Sequence, residues 1–159
     1  MKNVKRNESG FTIIEVVLVL AIAGLIFLVV FLALPQLQRS QRDSQRRSDA
    51  GRLLTALESY ASNNNGTYPP SGEVTNFVAA YLTNDGAVFE DPSGNAYTVN
   101  YTTGNPNLSA TDDPDGNVYY GFGRQCASTE GDFEAGGGNR KAAVMFPLEN
   151  GIAYCQDNR

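Results

Sequence analysis

The sequence contains no histidine and only two cysteines among its 159 residues. Histidine is the side chain whose ordinary pKa suits acid–base catalysis near neutral pH, and no serine stands in a nucleophile-elbow context. Without histidine or a third cysteine, a zinc site would lack its usual nitrogen and sulfur ligands. Carboxylates remain as catalytic candidates, but acids scattered through loops usually only solvate a surface. The composition therefore gives little support to an enzyme and argues against a zinc centre.

Basic side chains are scarce in the second half of the chain. Residues 63–159 hold four basic and twelve acidic side chains, whereas residues 39–52 hold five arginines and two aspartates. The acidic carboxyl-terminal part disfavours broad electrostatic binding of nucleic acid. The five arginines of residues 39–52, here named the arginine collar, could instead contact phosphate of lipid or of DNA.

One long run of the sequence has no polar side chain. It covers the 19 residues from Val16 to Leu34, and Glu15 directly precedes it. The segment Phe11 to Leu34 therefore has the length and character of a membrane-spanning helix. A carboxylate inside such a helix is costly unless it is paired or neutralised, which makes Glu15 a functional candidate. The alternative is that Glu15 lies at the headgroup level of a simple single-pass anchor.

A short polar leader precedes the apolar run. Residues 1–10 carry three basic side chains against one acid and end in glycine. An ordinary secretory signal has a shorter apolar core followed by a small-residue cleavage site, and no such site follows Leu34. The stretch Gly-Phe-Thr-Ile-Ile-Glu at residues 10–15 instead resembles the class III leader of type IV pilins and the related pseudopilins.

The resemblance implies how the leader is processed and what Glu15 does. A prepilin peptidase would cut after Gly10 and N-methylate the new terminal residue, Phe11. The acid at the position of Glu15 is thought to attract the amino terminus of a neighbouring subunit during assembly. The two charges would be tolerable in the membrane only together, because a buried charge without its partner typically costs about 3–5 kcal/mol.

The resemblance also implies the partners of the chain. They are further copies of itself in a filament, other pilins, the prepilin peptidase, a platform protein with an assembly ATPase, and membrane lipid. Nothing in the sequence gives strong evidence for nucleic acid. No cofactor is expected, and calcium is the one candidate.

The location of the head decides whether its two cysteines are expected to form a disulfide. The positive-inside rule alone would favour the wrong orientation, because the collar carries more positive charge than the leader. The resemblance favours a cytoplasmic leader and an exported head. The protein would then lie in the cytoplasmic (inner) membrane before assembly and in a surface pilus afterwards. In an exported head, Cys126 and Cys155 are most simply a disulfide, which contributes about 3.5 kcal/mol in the chain-entropy model.

The helix is predicted to continue beyond Leu34. Leu53, Leu57 and Tyr60 recur at helical spacing and form an apolar stripe that can pack on a sheet. The run Asn-Asn-Asn-Gly at residues 63–66 is a strong stop signal, with Gly66 or an asparagine in the left-handed conformation.

Gly24 and Pro35 are candidate positions for local melting or kinking of this helix. Glycine costs about 1 kcal/mol relative to alanine in a helix, and proline removes a backbone hydrogen bond. Pilins commonly carry a helix-breaking proline about one turn earlier, where this chain has Leu32. The alternative is an ordinary membrane-helix glycine and a boundary proline.

The head is predicted to be a small antiparallel sheet. The pattern predicts one short helix and four strands: Val74–Leu82, then Ala96–Tyr101, Val118–Tyr120, Ala142–Phe146 and Ile152–Cys155. Asn150–Gly151 signals a tight turn, and the glycine-rich stretch around residues 130–138 is interpreted as a flexible acidic loop. The fold class is therefore α+β, pilin-like: a long amino-terminal helix, half membrane and half amphipathic, packed on the sheet. Four segments are predicted: leader 1–10, transmembrane and polymerisation helix 11–34, amphipathic continuation 35–65, and globular head 66–159 with a carboxyl-terminal disulfide loop.

One loop is a candidate for calcium. Asp112, Asp113, Asp115 and Asn117 bring several oxygen ligands together, and some major pseudopilins hold calcium in such loops. The EF-hand spacing is incomplete, and Asp-Pro-Asp-Gly is a good turn sequence by itself.

The functional prediction is a structural subunit of a type IV pilus-like surface filament. Within the same family, the alternative is a pseudopilin of a type II secretion or DNA-uptake system. From another class, the alternative is an uncleaved, membrane-anchored binding domain whose head recognises a ligand.

Overall fold

The computed structural model describes residues 10–106, 108, 116–128, 131–136, 138–149 and 151–158. The chain forms two compact units, the first ending at Gln38 and the second beginning at Arg39. One long helix, α1 (Ile13–Asn63), contributes to both units, and all other elements belong to the second. The α+β class is confirmed, whereas the predicted segment boundaries stay predictions.

The part of α1 in the first unit exposes its large apolar side chains. A helix that is apolar all round has no single face to bury, so it needs an apolar environment outside the chain. Among the described residues, α1 is the one helix long and apolar enough to cross a membrane. Gly24 and Pro35 both lie inside the helix, and local melting at either position stays a prediction.

In the second unit, α1 buries one face and ends where the sequence predicts. Leu53, Leu57 and Ala61 repeat every four residues and are buried in the core. The helix stops at Asn63, and the backbone N–H of Gly66 donates to the carbonyl of Ala61 at 2.7 Å. Gly66 has φ 81°, a left-handed conformation that glycine adopts without steric cost, so the predicted stop is confirmed.

A short helical region follows α1. It consists of a 3₁₀ turn (Ser71–Glu73), the helix α2 (Val74–Tyr81) and a second 3₁₀ turn (Asn84–Gly86). The ring of Phe77 is buried on α2 and meets Tyr60 of α1 edge-on, with the ring centroids 5.7 Å apart. The predicted helix at residues 74–82 is confirmed to within one residue.

A four-stranded sheet forms the centre of the head. Its strands are β1 (Thr98–Tyr101), β2 (Asn117–Phe122), β5 (Ala142–Pro147) and β6 (Ala153–Asp157), in the order β1-β2-β5-β6. All four lie where strands were predicted, with ends shifted by one or two residues. The sheet is not wholly antiparallel, because β1 and β2 are parallel. The connection between them therefore returns to the end of the sheet at which β1 began.

A second, two-stranded sheet was not predicted. It consists of β3 (Arg124–Cys126) and β4 (Phe133–Ala135), paired antiparallel. Part of the stretch interpreted as a flexible acidic loop is thus strand, and that interpretation was wrong for Glu134. Three-residue strands are too short to show a period, so only the pairing reveals them.

Apolar side chains cover both faces of the central sheet. On one face, Tyr120, Val144 and Phe146 pack with the apolar face of α1. On the other face, Met145 and Ala143 pack with Phe133 of β4. All six residues of β5 are buried as a result.

Candidate processing and assembly site

The predicted cleavage position precedes α1 and is exposed. Gly10 is exposed, and Phe11 exposes 89% of its surface. A Cβ placed on Gly10 would meet nothing within 4 Å. Nothing in the described part of the chain therefore shields the peptide bond between these two residues, although cleavage there stays a prediction.

Thr12 and Glu15 form a reciprocal hydrogen-bond pair at the start of α1. The backbone N–H and the hydroxyl of Thr12 both donate to Glu15 Oε2, at 3.0 and 2.9 Å. The backbone N–H of Glu15 donates to Thr12 Oγ1 at 3.4 Å. This is a capping box, with Thr12 as the N-cap and Glu15 three residues later. It holds the carboxylate at the positive end of the helix dipole.

Sequence reasoning identified Glu15 but missed Thr12. The signal was present, because Ser or Thr followed three residues later by Glu before an apolar run predicts a capping box. Glu15 therefore has a local function in the isolated chain as well as its predicted role in assembly. The two roles require different tests.

The arginine collar, by contrast, is largely bound to acids of the head. Arg42 forms a two-pronged ion pair with Glu149, in which Nη2 donates to Oε2 at 2.8 Å and Nε donates to Oε1. Arg46 pairs with Asp91 in the same way, with Nε–Oδ2 at 2.6 Å and Nη2–Oδ1 at 3.1 Å. Asp43 accepts a hydrogen bond from the backbone N–H of Glu149 at 2.9 Å.

Asp91 is the most deeply buried acid of these pairs, with 5% of its surface exposed. Burial alone would raise the pKa of Asp91, but hydrogen bonds from Arg46 and Ser93 outweigh it and hold the pKa below its ordinary value. The hydrogen bond from Arg42 likewise lowers the pKa of Glu149. Both acids are therefore ionised at neutral pH and bind the collar tightly.

Asp49 extends the polar contacts one turn further along α1. It is 1% exposed, and it accepts from Arg52 Nη1 at 3.2 Å and from the hydroxyl of Tyr97 at 3.3 Å. Arg52 also donates to the carbonyl of Val88 at 3.2 Å. The predicted availability of the collar for phosphate is thereby reduced, because Arg42, Arg46 and Arg52 already have partners inside the head.

The two cysteines form the predicted disulfide. Cys126 on β3 and Cys155 on β6 are joined by an S–S bond of 2.00 Å that closes a 29-residue separation. The backbone N–H of Cys126 also donates to Asp157 Oδ2 at 2.8 Å. The bond therefore ties the small sheet to the edge of the central sheet.

Three of the four calcium candidates, Asp112, Asp113 and Asp115, lie outside the described residues. Asn117 begins β2, and its Oδ1 accepts from Asn100 Nδ2 at 3.2 Å. Calcium binding stays a prediction.

The described residues define a class of protein that combines an exposed apolar helix segment, a carboxylate at the start of that helix, and a small disulfide-closed α+β head. The model of the prokaryotic N-terminal methylation motif matches residues 5–31. This motif is the class III leader of type IV pilins and pseudopilins, so the predicted leader type is confirmed. Comparisons with curated proteins and with solved structures find no match.

The motif match has direct consequences for the chain. It supports a processed subunit resembling pilins or pseudopilins, and it points to a structural role rather than to an enzyme. It implies processing by a prepilin peptidase and assembly with other pilin chains. Together with the apolar part of α1, it indicates anchoring in a membrane.

Proposed function

We propose that the chain is a structural subunit of a type IV pilus-like surface filament. The leader is removed after Gly10, Phe11 is N-methylated, and subunits assemble through the apolar part of α1. The observation that carries the proposal is the methylation motif at residues 5–31, leading into a helix whose amino-terminal part exposes its large apolar side chains.

The apolar helix needs two successive environments in this account. Lipid covers it while the subunit waits in the cytoplasmic membrane, because burial of apolar surface away from water is favourable. In the filament, the corresponding helices of neighbouring copies replace the lipid. A platform protein and an assembly ATPase would move the subunit from one environment to the other.

Glu15 supplies the register of assembly. Removal of the leader creates an ammonium group on Phe11, and this group requires a negative partner once it leaves water. The capping box binds Oε2 of Glu15, and a carboxylate has about four acceptor sites in total. Acceptor capacity therefore remains for the amino terminus of the next subunit.

Glu15→Gln is the variant that tests this role most cleanly. Gln is accepted at the third position of a capping box, so this variant keeps the cap and removes only the charge. We expect normal leader removal but little or no sheared filament, measured by immunoblot of surface and membrane fractions. Glu58→Gln, which neutralises an exposed acid further along the same helix, is the matched control and should assemble normally.

Thr12→Val separates capping from charge. The change removes the Thr12 hydroxyl that hydrogen-bonds to Glu15 and leaves the carboxylate in place. Filament assembly should therefore fall less than in Glu15→Gln. If Glu15→Gln yields as much sheared filament as the control, a charge pair does not set the alignment of neighbouring subunits. If head-loop changes abolished function while Glu15→Gln did not, the membrane-anchored binding domain would replace our proposal.

A pseudopilin of a secretion or DNA-uptake system is the second candidate. The methylation motif is common to pilins and pseudopilins, and the segment Asp91–Tyr97 bears a weak resemblance to pseudopilin heads. The two ends of this segment contact α1, Asp91 through Arg46 and Tyr97 through Asp49. Retention of a short fibre at the cell envelope, with no filament in the sheared fraction, would favour this candidate.

A further inference from the structure

We propose that α1 is attached to the head in two zones, a polar fastener that can open and an apolar zone that stays closed. The fastener consists of six residues: Arg42, Arg46 and Asp49 on α1, with Asp91, Tyr97 and Glu149 on the head. The apolar zone begins at Ala50 and continues through Leu53, Leu57 and Ala61. The fastener would open within a single subunit, whether or not a filament forms.

The fastener residues lie on one side of α1 in consecutive turns. Arg42, Arg46 and Asp49 are separated by four and three positions, which places them on one face. Their partners lie in the turns around Asp91 and Glu149 and just before β1, not within the four-stranded sheet. The fastener therefore fixes α1 to the connections of the head, whereas the apolar zone fixes it to the sheet.

The two zones respond to different conditions. Ion pairs with partly exposed members weaken as salt screens them, and the side chains of Arg42 and Glu149 keep 35% and 20% of their surface exposed. Apolar contacts such as that of Leu57, which is fully buried, do not lose strength in this way. Arg46 and Asp91 keep only 12% and 5% of their side-chain surface exposed and are screened less, so salt should weaken the Arg42–Glu149 pair first. A pulling force on the amino-terminal helix should open the fastener from the same end.

Opening would leave the rest of the head intact. The disulfide, the four-stranded sheet and the apolar zone contain none of the three α1 residues of the fastener. The stretch from Arg42 to Asp49 is eight residues long, so opening would detach about 12 Å of helix at 1.5 Å per residue. The subunit would then be flexible where α1 enters the head, without unfolding of the head.

Distances between spin labels in the full-length, detergent-solubilised chain test this proposal. One label pair, on Gln45 of α1 and Asn95 of the head, reports on the fastener. A second pair, on Ser62 of α1 and Thr98 of β1, reports on the apolar zone. All four side chains are exposed, and labels on non-natural amino acids leave the disulfide intact.

The variant Arg46→Gln with Asp91→Asn removes both charges without leaving one of them buried alone. Glu58→Gln, which neutralises an exposed acid further along α1 and outside the fastener, is the matched control. We expect the double variant to raise the population with a long Gln45–Asn95 distance about tenfold. The control should match the unaltered chain.

High salt should increase the same long-distance population in the unaltered chain by less than the double variant does, because Arg46 and Asp91 are nearly buried, while the Ser62–Thr98 distance stays fixed. If the double variant does not lengthen the Gln45–Asn95 distance, the fastener does not open and the proposal is wrong. If both label pairs lengthen together, or the double variant fails to fold, α1 and the head form one cooperative unit, which also overturns it.

Discussion

Loss of the disulfide should destabilise the head by an amount set by the loop that it closes. Cys126 and Cys155 are 29 positions apart, and the chain-entropy model gives about 3.5 kcal/mol for a loop of this length. For a domain the size of the second unit, residues 39–159, each kcal/mol of destabilisation lowers Tm by about 3–4 °C. The expected decrease in Tm is therefore about 10–15 °C. The assay is thermal unfolding of the full-length chain in detergent, followed by near-ultraviolet circular dichroism.

The comparison uses the unaltered chain and the variant Cys126→Ser with Cys155→Ser, each with and without reductant. Reductant and the double substitution should lower Tm equally, and reductant should not affect the double variant. Structure should be lost first where β3 contacts β6, because the disulfide joins the small sheet to the central sheet there. A change of less than about 1 kcal/mol would refute the reasoning, since the unfolded chain would then gain little freedom from the broken bond.

Three further outcomes are expected. Leu57→Ala should lower the free energy of unfolding by about 2–5 kcal/mol, whereas Thr55→Ala, on the exposed side of α1, should leave urea unfolding nearly unchanged. Because hydrogen bonds from arginine lower the pKa of Asp91 and Glu149, these acids contribute fully to the free energy of unfolding above their ordinary pKa values of 3.8 and 4.5. This stabilisation is lost as the pH falls through the lowered pKa values of the folded state. A free energy of unfolding that does not change between about pH 5 and about pH 2 would contradict it. Gly10→Val should retain the leader, seen by intact mass, without affecting the Tm of the head, because nothing in the described structure lies within 4 Å of the added Cβ.

The helices and the main strands were predictable because their signals are local. The end of α1 follows from Asn65 and Gly66, whose positive φ angles stop the helix. The strand β5 is an apolar run bounded by polar and turn residues, which is sufficient to predict a buried strand. The parallel pairing of β1 with β2 was not predictable, because strand direction is decided by the path of the connection and not by the strands themselves.

The ion pairs of the arginine collar could not be predicted from the sequence. Arg42 and Glu149 are 107 positions apart, and Arg46 and Asp91 are 45 apart. A cluster of arginines normally indicates a solvated or phosphate-binding surface, and only the packed head brings Asp91 and Glu149 to it. At the amino terminus the situation is the reverse, because the residues from Gly10 to Glu15 are contiguous and carry their signal in the sequence itself.

The amino-terminal mass of the protein tests the central claim most directly. It should be determined by mass spectrometry of material sheared from the surface of the native host, and compared with the membrane fraction. Our account predicts a chain that begins at Phe11 and carries an N-methyl group in the sheared material. A chain that retains residues 1–10 and is confined to the membrane would contradict processing and assembly together.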